Sequence, residues 1–373
     1  MRKVFVLADN IFSPLGKTTL LNLESLKAGN SGISLHHSPI SENPFYASLL
    51  EPGSKSGNPE LSAFENILVA SITDAIKDQD LDPADPRTGF ILSSTKGNIS
   101  LIENETSPSV PKEQIGLSDS GERIAKIFGI RNEPVVVSHA CISGLLAMIT
   151  GMRLIQSGFY DDVIVSGADL ITDFILSGFQ SFQALSPKPC RPFDAARDGI
   201  SLGEAAATVI LSSREKKGAL QLSGGAVSND ANHISGPSRT GEELCLAIRS
   251  AIRQAGITAA DIDFISAHGT ATRYNDDMEA KAIHLAGLES VPLNSLKGFY
   301  GHTLGAAGLI ESIISLHSIK ENILYPTPGF TNPGTEKPVN VIKELTHSRV
   351  RKCLKTASGF GGCNAAIILE NLN

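Results

Sequence analysis

The chain has 373 residues, 41% of them hydrophobic and 19% charged, with mean hydropathy close to zero. That composition excludes a disordered chain and supplies two or three core-forming units at about 150 residues each. A net charge of −7 excludes a general nucleic-acid coat, because phosphate binding needs a basic face.

In the first half, short β-rich apolar runs alternate with helical patterns. Strands are expected over 4–8, 90–94, 135–138, 163–167 and 205–211. Helices are expected over 61–76, where Phe64, Ile67, Leu68, Ile72 and Ile76 recur at helical spacing, and from about 142 to 157. The stretches 39–59 and 99–121, rich in Pro, Ser, Asn and Gly or acidic residues, read as loops. The second half repeats the plan: helix over 242–255, strands over 263–267 and 291–293, helix over 302–318, closing strand over 365–369. Strand–helix alternation of this kind predicts an α/β fold with buried sheets.

Local text is shared between the halves. G-E-A-A-A-T-V-I-L at 203–211 lines up with G-G-C-N-A-A-I-I-L at 361–369, and F-I-L-S-S-T-K-G at 90–97 with F-I-S-A-H-G-T at 264–270. Their common order predicts an internal duplication with its junction in 212–218, dividing the chain into 1–214 and 215–373.

Five cysteines, an odd number without C-x-x-C spacing, read as reduced thiols of a cytosol. Arg2 and Lys3 precede an apolar run too short for a signal-peptide core, and no run approaches the roughly 20 residues of a membrane span. A soluble cytoplasmic protein without a membrane partner is expected.

Among residues able to do chemistry, Cys141 sits where a strand turns into a helix. The helix N-terminus is expected to lower its pKa, and the free amides there to meet an acyl oxyanion; the alternative is a small buried hydrophobe. His268 follows a strand and His302 opens a small-residue helix, edges where active sites collect; each equally suits a capping or solvated histidine. Lys297 and Glu311 flank His302 and read either as partners or as surface charges, as do Asp276 and Glu279 after His268. His139 and Cys141 lack zinc spacing, and no G-x-G-x-x-G, P-loop or G-x-S-x-G motif occurs, so no metal, nucleotide or other cofactor is expected.

Six segments in order resemble the β-ketoacyl-acyl-carrier-protein synthases, the elongating condensing enzymes of the thiolase superfamily. They are H-A-C-I-S-G (139–144), R-P-F-D-A-A-R-D-G-I (191–200), G-E-A-A-A (203–207), A-H-G-T-A-T-R-Y-N-D-D-M-E (267–279), S-L-K-G-F-Y-G-H-T-L-G-A-A-G (295–308) and S-G-F-G-G-C-N (358–364). The resemblance spans roughly 135–370. It implies a thiolase-like duplicated fold, two βαβαβ-type halves in α/β/α/β/α layers, the first carrying the cysteine and the second the two histidines. It implies an acyltransferase, a 3-oxoacyl-acyl-carrier-protein synthase. Cys141 would take an acyl group from a carrier-protein thioester, and His268 and His302 would stabilise the enolate left by malonyl decarboxylation. The amides of Cys141 and Phe360 would hold the oxyanion. Lys297 and Glu311 would be supporting charges, Thr270 and Thr272 would hold the pantetheine arm, and Phe360 would be an aromatic gate.

The partners so implied are acyl carrier protein, acyl and malonyl thioesters, and a second copy in a homodimer, in fatty acid or polyene/polyketide-type biosynthesis; phosphopantetheine would arrive on the carrier. Against the family pattern, the chain is shortened before Cys141, Ile142 follows the cysteine, and Ser358 replaces an aromatic. The segment at 61–76, where a basic docking helix is implied, has only Lys77 beside it, which leaves Arg191, Arg197, Arg214, Lys216 and Lys217 as docking candidates. Rival readings are a thiolase using Cys363, a non-catalytic chain-length partner subunit, and an initiating synthase using Asn364.

Overall fold

The computed structural model describes residues 2–38, 44–103 and 114–372. Among the described residues, ten strands build the main sheet. The first half runs β1 (Phe5–Phe12), α1 (Ala63–Ile76), β2 (Thr88–Ser93), α2 (Leu117–Ile127), β3 (Val135–Val137), α3 (Ser143–Gln156), β4 (Asp162–Asp169) and β5 (Ala205–Ser212). The second runs β6 (Leu220–Asn229), α4 (Glu242–Ala255), β7 (Phe264–Ser266), α5 (Arg273–Leu285), β8 (Leu293–Asn294), α6 (Ala307–Glu321), β9 (Lys352–Gly359) and β10 (Cys363–Glu370). The order of elements is the same in both.

Pairing repeats as well. In the first half β1–β5 and β5–β4 are antiparallel, and β4–β2 and β2–β3 parallel. In the second, β6–β10 and β10–β9 are antiparallel, and β9–β7 and β7–β8 parallel. The halves join edge to edge where Phe5 and Val6 pair with Gln221 and Leu220. This is a duplicated fold, as the shared text implied, in the thiolase-like arrangement that the resemblance implied.

Layering follows from which faces are apolar. α6 is buried on nearly every side from Ala307 to Ile319, half-buried His317 excepted, as a helix with neighbours around it must be. It packs with α3 between the two halves of the sheet, and both helices contribute to one core with Val165, Val209 and Ile367. α1 covers the outer face of the first half with Phe64, Ile67, Leu68 and Ile72, and α4 covers the second with Leu244, Ile248 and Ile252. The result is helix, sheet, paired helices, sheet, helix. Among the described residues no helix is long and apolar enough to cross a membrane.

Several expectations change. The loop over 39–59 contains a strand at Phe45–Ser48, and that over 99–121 contains the start of α2; 39–43 and 104–113 lie outside the described residues. The helix expected from 302 starts at Ala307, because Leu304 takes φ 50° and the turn Leu304–Ala306 is 3₁₀. β6 was not anticipated because Gly224 and Gly225 look like a turn. Their role is space: a Cβ at Gly224 would lie 2.2 Å from the Ala251 carbonyl oxygen of α4.

Candidate active site

The site lies at the C-terminal ends of the parallel strands of both halves, where open α/β sheets place their ligands. Cys141 follows β3, with Ile142 as the N-cap of α3. Ala140, just before it, has φ 46°, and Ala271 and Leu304 near the histidines have φ 63° and 50°. Left-handed non-glycine residues cost on the order of 1–3 kcal/mol each and persist where packing holds a site.

His268 follows β7. Its amide and that of Gly269 donate to the Glu279 carboxylate of α5 at 2.8 Å each, and its carbonyl accepts from Lys297 Nζ at 2.6 Å. His302 is pinned by its own amide to the Ser201 carbonyl at 2.7 Å, and its carbonyl accepts from Gly203 at 3.0 Å. Cys141 Sγ and one nitrogen of each imidazole lie within 4.8 Å of one another, and the two rings meet edge to face with centroids 5.2 Å apart. The structure therefore brings together the three residues the motifs singled out, from opposite halves.

Neighbouring groups assign the tautomers. His302 Nδ1 accepts from the Leu304 amide at 3.3 Å, and His268 Nδ1 faces the Lys297 ammonium at 3.3 Å. With Nδ1 an acceptor, the ring proton sits on Nε2. His302 Nε2 is buried and has no hydrogen-bond partner among the described residues. Burial, then the lysine charges, hold both imidazoles well below their usual range, so both stay neutral N–H donors. A histidine that binds metal passes its second N–H to an acceptor, whereas here both Nδ1 atoms face donors. The cluster is built to donate hydrogen bonds.

The expected lowering of the Cys141 pKa is overturned. Burial, then the neighbouring Cys363, push the thiol up to about 12, against the opposing pull of Lys297 and the Phe360 amide directed at the sulfur. Desolvation outweighs the helix N-terminus two residues away, so the resting group is a thiol.

Lys297 Nζ pairs with Glu311 Oε1 at 2.6 Å. Sequence reading missed a second lysine: Lys355 on β9, fully buried, pairs with Glu311 Oε2 at 2.7 Å. Its signal was a lysine in the interior of a strand, three residues after the one that opens it. Asp276 and Glu279 are both buried. Glu279 also accepts from Thr356 Oγ1 at 2.6 Å, and Asp276, raised to about 7 by burial, accepts from Thr270 and Phe193 amides. Asp169 was also missed; it ties Ser94 and Thr95 after β2 to Gly305 before α6.

A cavity of 520 Å³ opens on these groups. Thr270 and Thr272 line it with their hydroxyls 2.9 Å apart, and Phe360 lines it beside Phe179 (centroids 5.8 Å) and Phe182 (5.3 Å). Ser358 and Asn364 also line it and bond to each other at 2.7 Å. Cys363 donates to the Phe360 carbonyl at 3.3 Å and does not line the cavity. Of the docking candidates, Arg197 is ruled out: it is buried, 3.1 Å from Asp277 and bonded to the Asp194 and Gly334 carbonyls.

The family profile described as Beta-ketoacyl synthase, N-terminal domain, matches residues 46–217, and that of the C-terminal domain matches 220–331. The 3-oxoacyl-(acyl-carrier-protein) synthase 2 of Vibrio cholerae is 29% identical over 415 residues, spanning 100% of this chain and 99% of that protein. A putative polyketide beta-ketoacyl synthase 1 of Streptomyces cyaneus is 30% identical over 297 residues, spanning 75% and 70%. Among solved structures, the ishigamide ketosynthase/chain length factor superposes with a TM-score of 0.91 at 28% identity, over 100% of both chains. With one domain profile on each half and a cysteine facing two histidines across the seam, the chain belongs to the β-ketoacyl synthase family.

Proposed function

We propose that this acyltransferase condenses an acyl group held on Cys141 with malonyl-acyl carrier protein, releasing carbon dioxide and a 3-oxoacyl-acyl carrier protein. The observation that carries the reading is one sulfur and two neutral imidazoles within 4.8 Å, one of them with an unpartnered Nε2–H.

In the first stage Cys141 Sγ attacks the thioester carbon of the acyl carrier. The carbonyl oxygen gains negative charge under the Cys141 and Phe360 amides, a donor pair in which each member is worth roughly 2.7–4 kcal/mol. The carbon–sulfur bond of the carrier breaks, and the departing thiolate takes the proton that Cys141 gives up, which suits a nucleophile that rests protonated. In the second stage the malonyl carbon–carbon bond breaks. Its electron pair becomes an enolate whose oxygen receives the Nε2–H groups of His268 and His302. The enolate carbon attacks the acyl-Cys141 carbonyl, and collapse expels the cysteine sulfur, which takes a proton from water. Thr270 and Thr272 hold the pantetheine arm in the cavity, Lys297 and Glu311 hold the His268 turn, and Phe360 gates the sulfur.

The enzyme acts in the cytoplasm on carrier-bound acyl chains without a resident cofactor, and as a homodimer, for which β3 offers a sheet edge with Val135 and Val136 half-buried. Intact-mass analysis after incubation with acyl-carrier protein tests the first stage: an adduct on the parent and none on Cys141→Ala is expected. An adduct on Cys141→Ala, or none on the parent with any acyl donor, overturns it. His302→Ala should slow carbon dioxide release from malonyl carrier by about 10²–10³-fold; unchanged release contradicts the enolate role.

A further inference from the structure

The buried lysine on β9 has no place in the mechanism so far. Residues alternate along this strand. Cys353 and Ala357 join the central core, while Leu354 and Thr356 face α4 and α5. Lys355 therefore projects toward α6 and Glu311. Its ammonium reaches the carbonyls of Ser266 at 3.2 Å and Ala267 at 3.3 Å, the two residues before His268, and that of Thr356 at 2.5 Å. Lys297 grips the His268 carbonyl from the other side, and Glu311 bridges the two lysines. The turn carrying His268 is thus clamped at its amide by Glu279, at its carbonyl by Lys297 and at the preceding carbonyls by Lys355.

The charges around the imidazoles can be taken element by element. From the helix Lys297–Tyr300 comes Lys297, from β9 Lys355, from α6 Glu311, and from α5 Glu279 with Asp276 behind it on the Thr270 amide. Cys141 adds a neutral thiol, and each histidine faces the other. Two carboxylates, Glu311 and Glu279, thus face two lysines, and burial lowers the pKa of Lys355 itself. At both rings the lysines act in the same direction as burial, Lys297 more strongly than Lys355.

We propose that Lys355 is a positioning residue of the condensation site that, through Glu311 and the strand end before His268, holds the His268 turn and keeps its Nε2–H aimed into the cavity. It touches no substrate. The proposal rests on the condensation reading for its catalytic consequence but not for its first test.

That test is long-range nitrogen–proton spectroscopy of histidine-labelled native protein without substrate, with His268→Ala and His302→Ala used for assignment. Both rings should keep their proton on Nε2 and remain neutral from about pH 8 to pH 5. Protonation of either ring in that range, or a proton on Nδ1, overturns the proposal whether or not the enzyme condenses anything. In Lys355→Met, ring protonation should move up by on the order of one pH unit. The acid limb of malonyl decarboxylation should move with it. Imidazole titration and acid limb at native values would make Lys355 a structural clamp only. If Lys355→Met does not fold, Lys355→Arg and Lys355→Gln take its place: the arginine variant should keep the native ring titration and the glutamine variant shift it, and equal titration in the two overturns the proposal.

Discussion

Replacing Gly359 by alanine tests how tightly the nucleophile is seated. Gly359 ends β9 beside the cysteine turn, and a Cβ there would stand 2.9 Å from the Cys141 amide nitrogen, 3.0 Å from Cys363 Sγ and 3.2 Å from Ala140 Cβ. Ordinary contact begins at 3.4 Å, so the cysteine backbone must retreat by about half an ångström. Ala140 cannot absorb the shift easily, being already left-handed at φ 46°. A 1 Å misplacement costs on the order of 10²-fold, so half of that predicts acylation slowed by roughly 10-fold or more. Overpacking predicts a stability loss of about 1–3 kcal/mol. The assay is single-turnover acyl transfer from acyl-carrier protein, followed by intact mass, beside thermal unfolding. Gly178→Ala is the control, because nothing lies within 4 Å of its Cβ and it should acylate like the parent. Acylation by Gly359→Ala at the parent rate would refute the idea that this contact fixes the sulfur.

Glu311→Gln leaves Lys297 and Lys355 buried without their shared carboxylate, and should cost about 3–5 kcal/mol, read by denaturant unfolding; unchanged stability would mean that the lysines do not rely on Glu311. At the surface, Arg87 donates to Asp161 at 2.9 and 3.1 Å and, with Arg2, holds that carboxyl down to about 2 from an ordinary 3.8. A depressed carboxyl stabilises the fold above the ordinary value and loses that contribution as pH falls from 3.8 toward 2. Arg87→Met should therefore lower thermal stability at pH 7 only slightly, since the pair is half exposed, with the gap closing below pH 4. A gap constant down to pH 2 would contradict the pairing.

The fold was legible wherever one periodicity ruled. α4 was expected over its observed span, because its charges fall on one face and Leu244, Ile248 and Ile252 on the other. Elements hid where a residue served a distant neighbour rather than its own segment. Gly224 makes room for α4, Lys355 interrupts β9 to reach Glu311, and α5 carries buried Asp276 and Glu279 that look solvated in isolation. The site divided likewise. Motif order pointed to Cys141, His268 and His302, which the fold brings within 4.8 Å. Which nitrogen of each ring faces a donor depends on how the chain folds the Leu304 amide and the Lys297 ammonium back on the rings, and which way the thiol moves depends on its burial and on neighbours from the other half.

The burial of α6 on nearly every side has a bearing on how such a sequence can drift. Its residues answer simultaneously to α3 in the opposite repeat, to β9 beneath it and to β1 and β5 beyond. With a thiol in one half and imidazoles in the other, neither half has a surface of its own along that axis. A change tolerated in either copy must be accommodated by its twin, and an excised half would leave an oily cylinder without a lining.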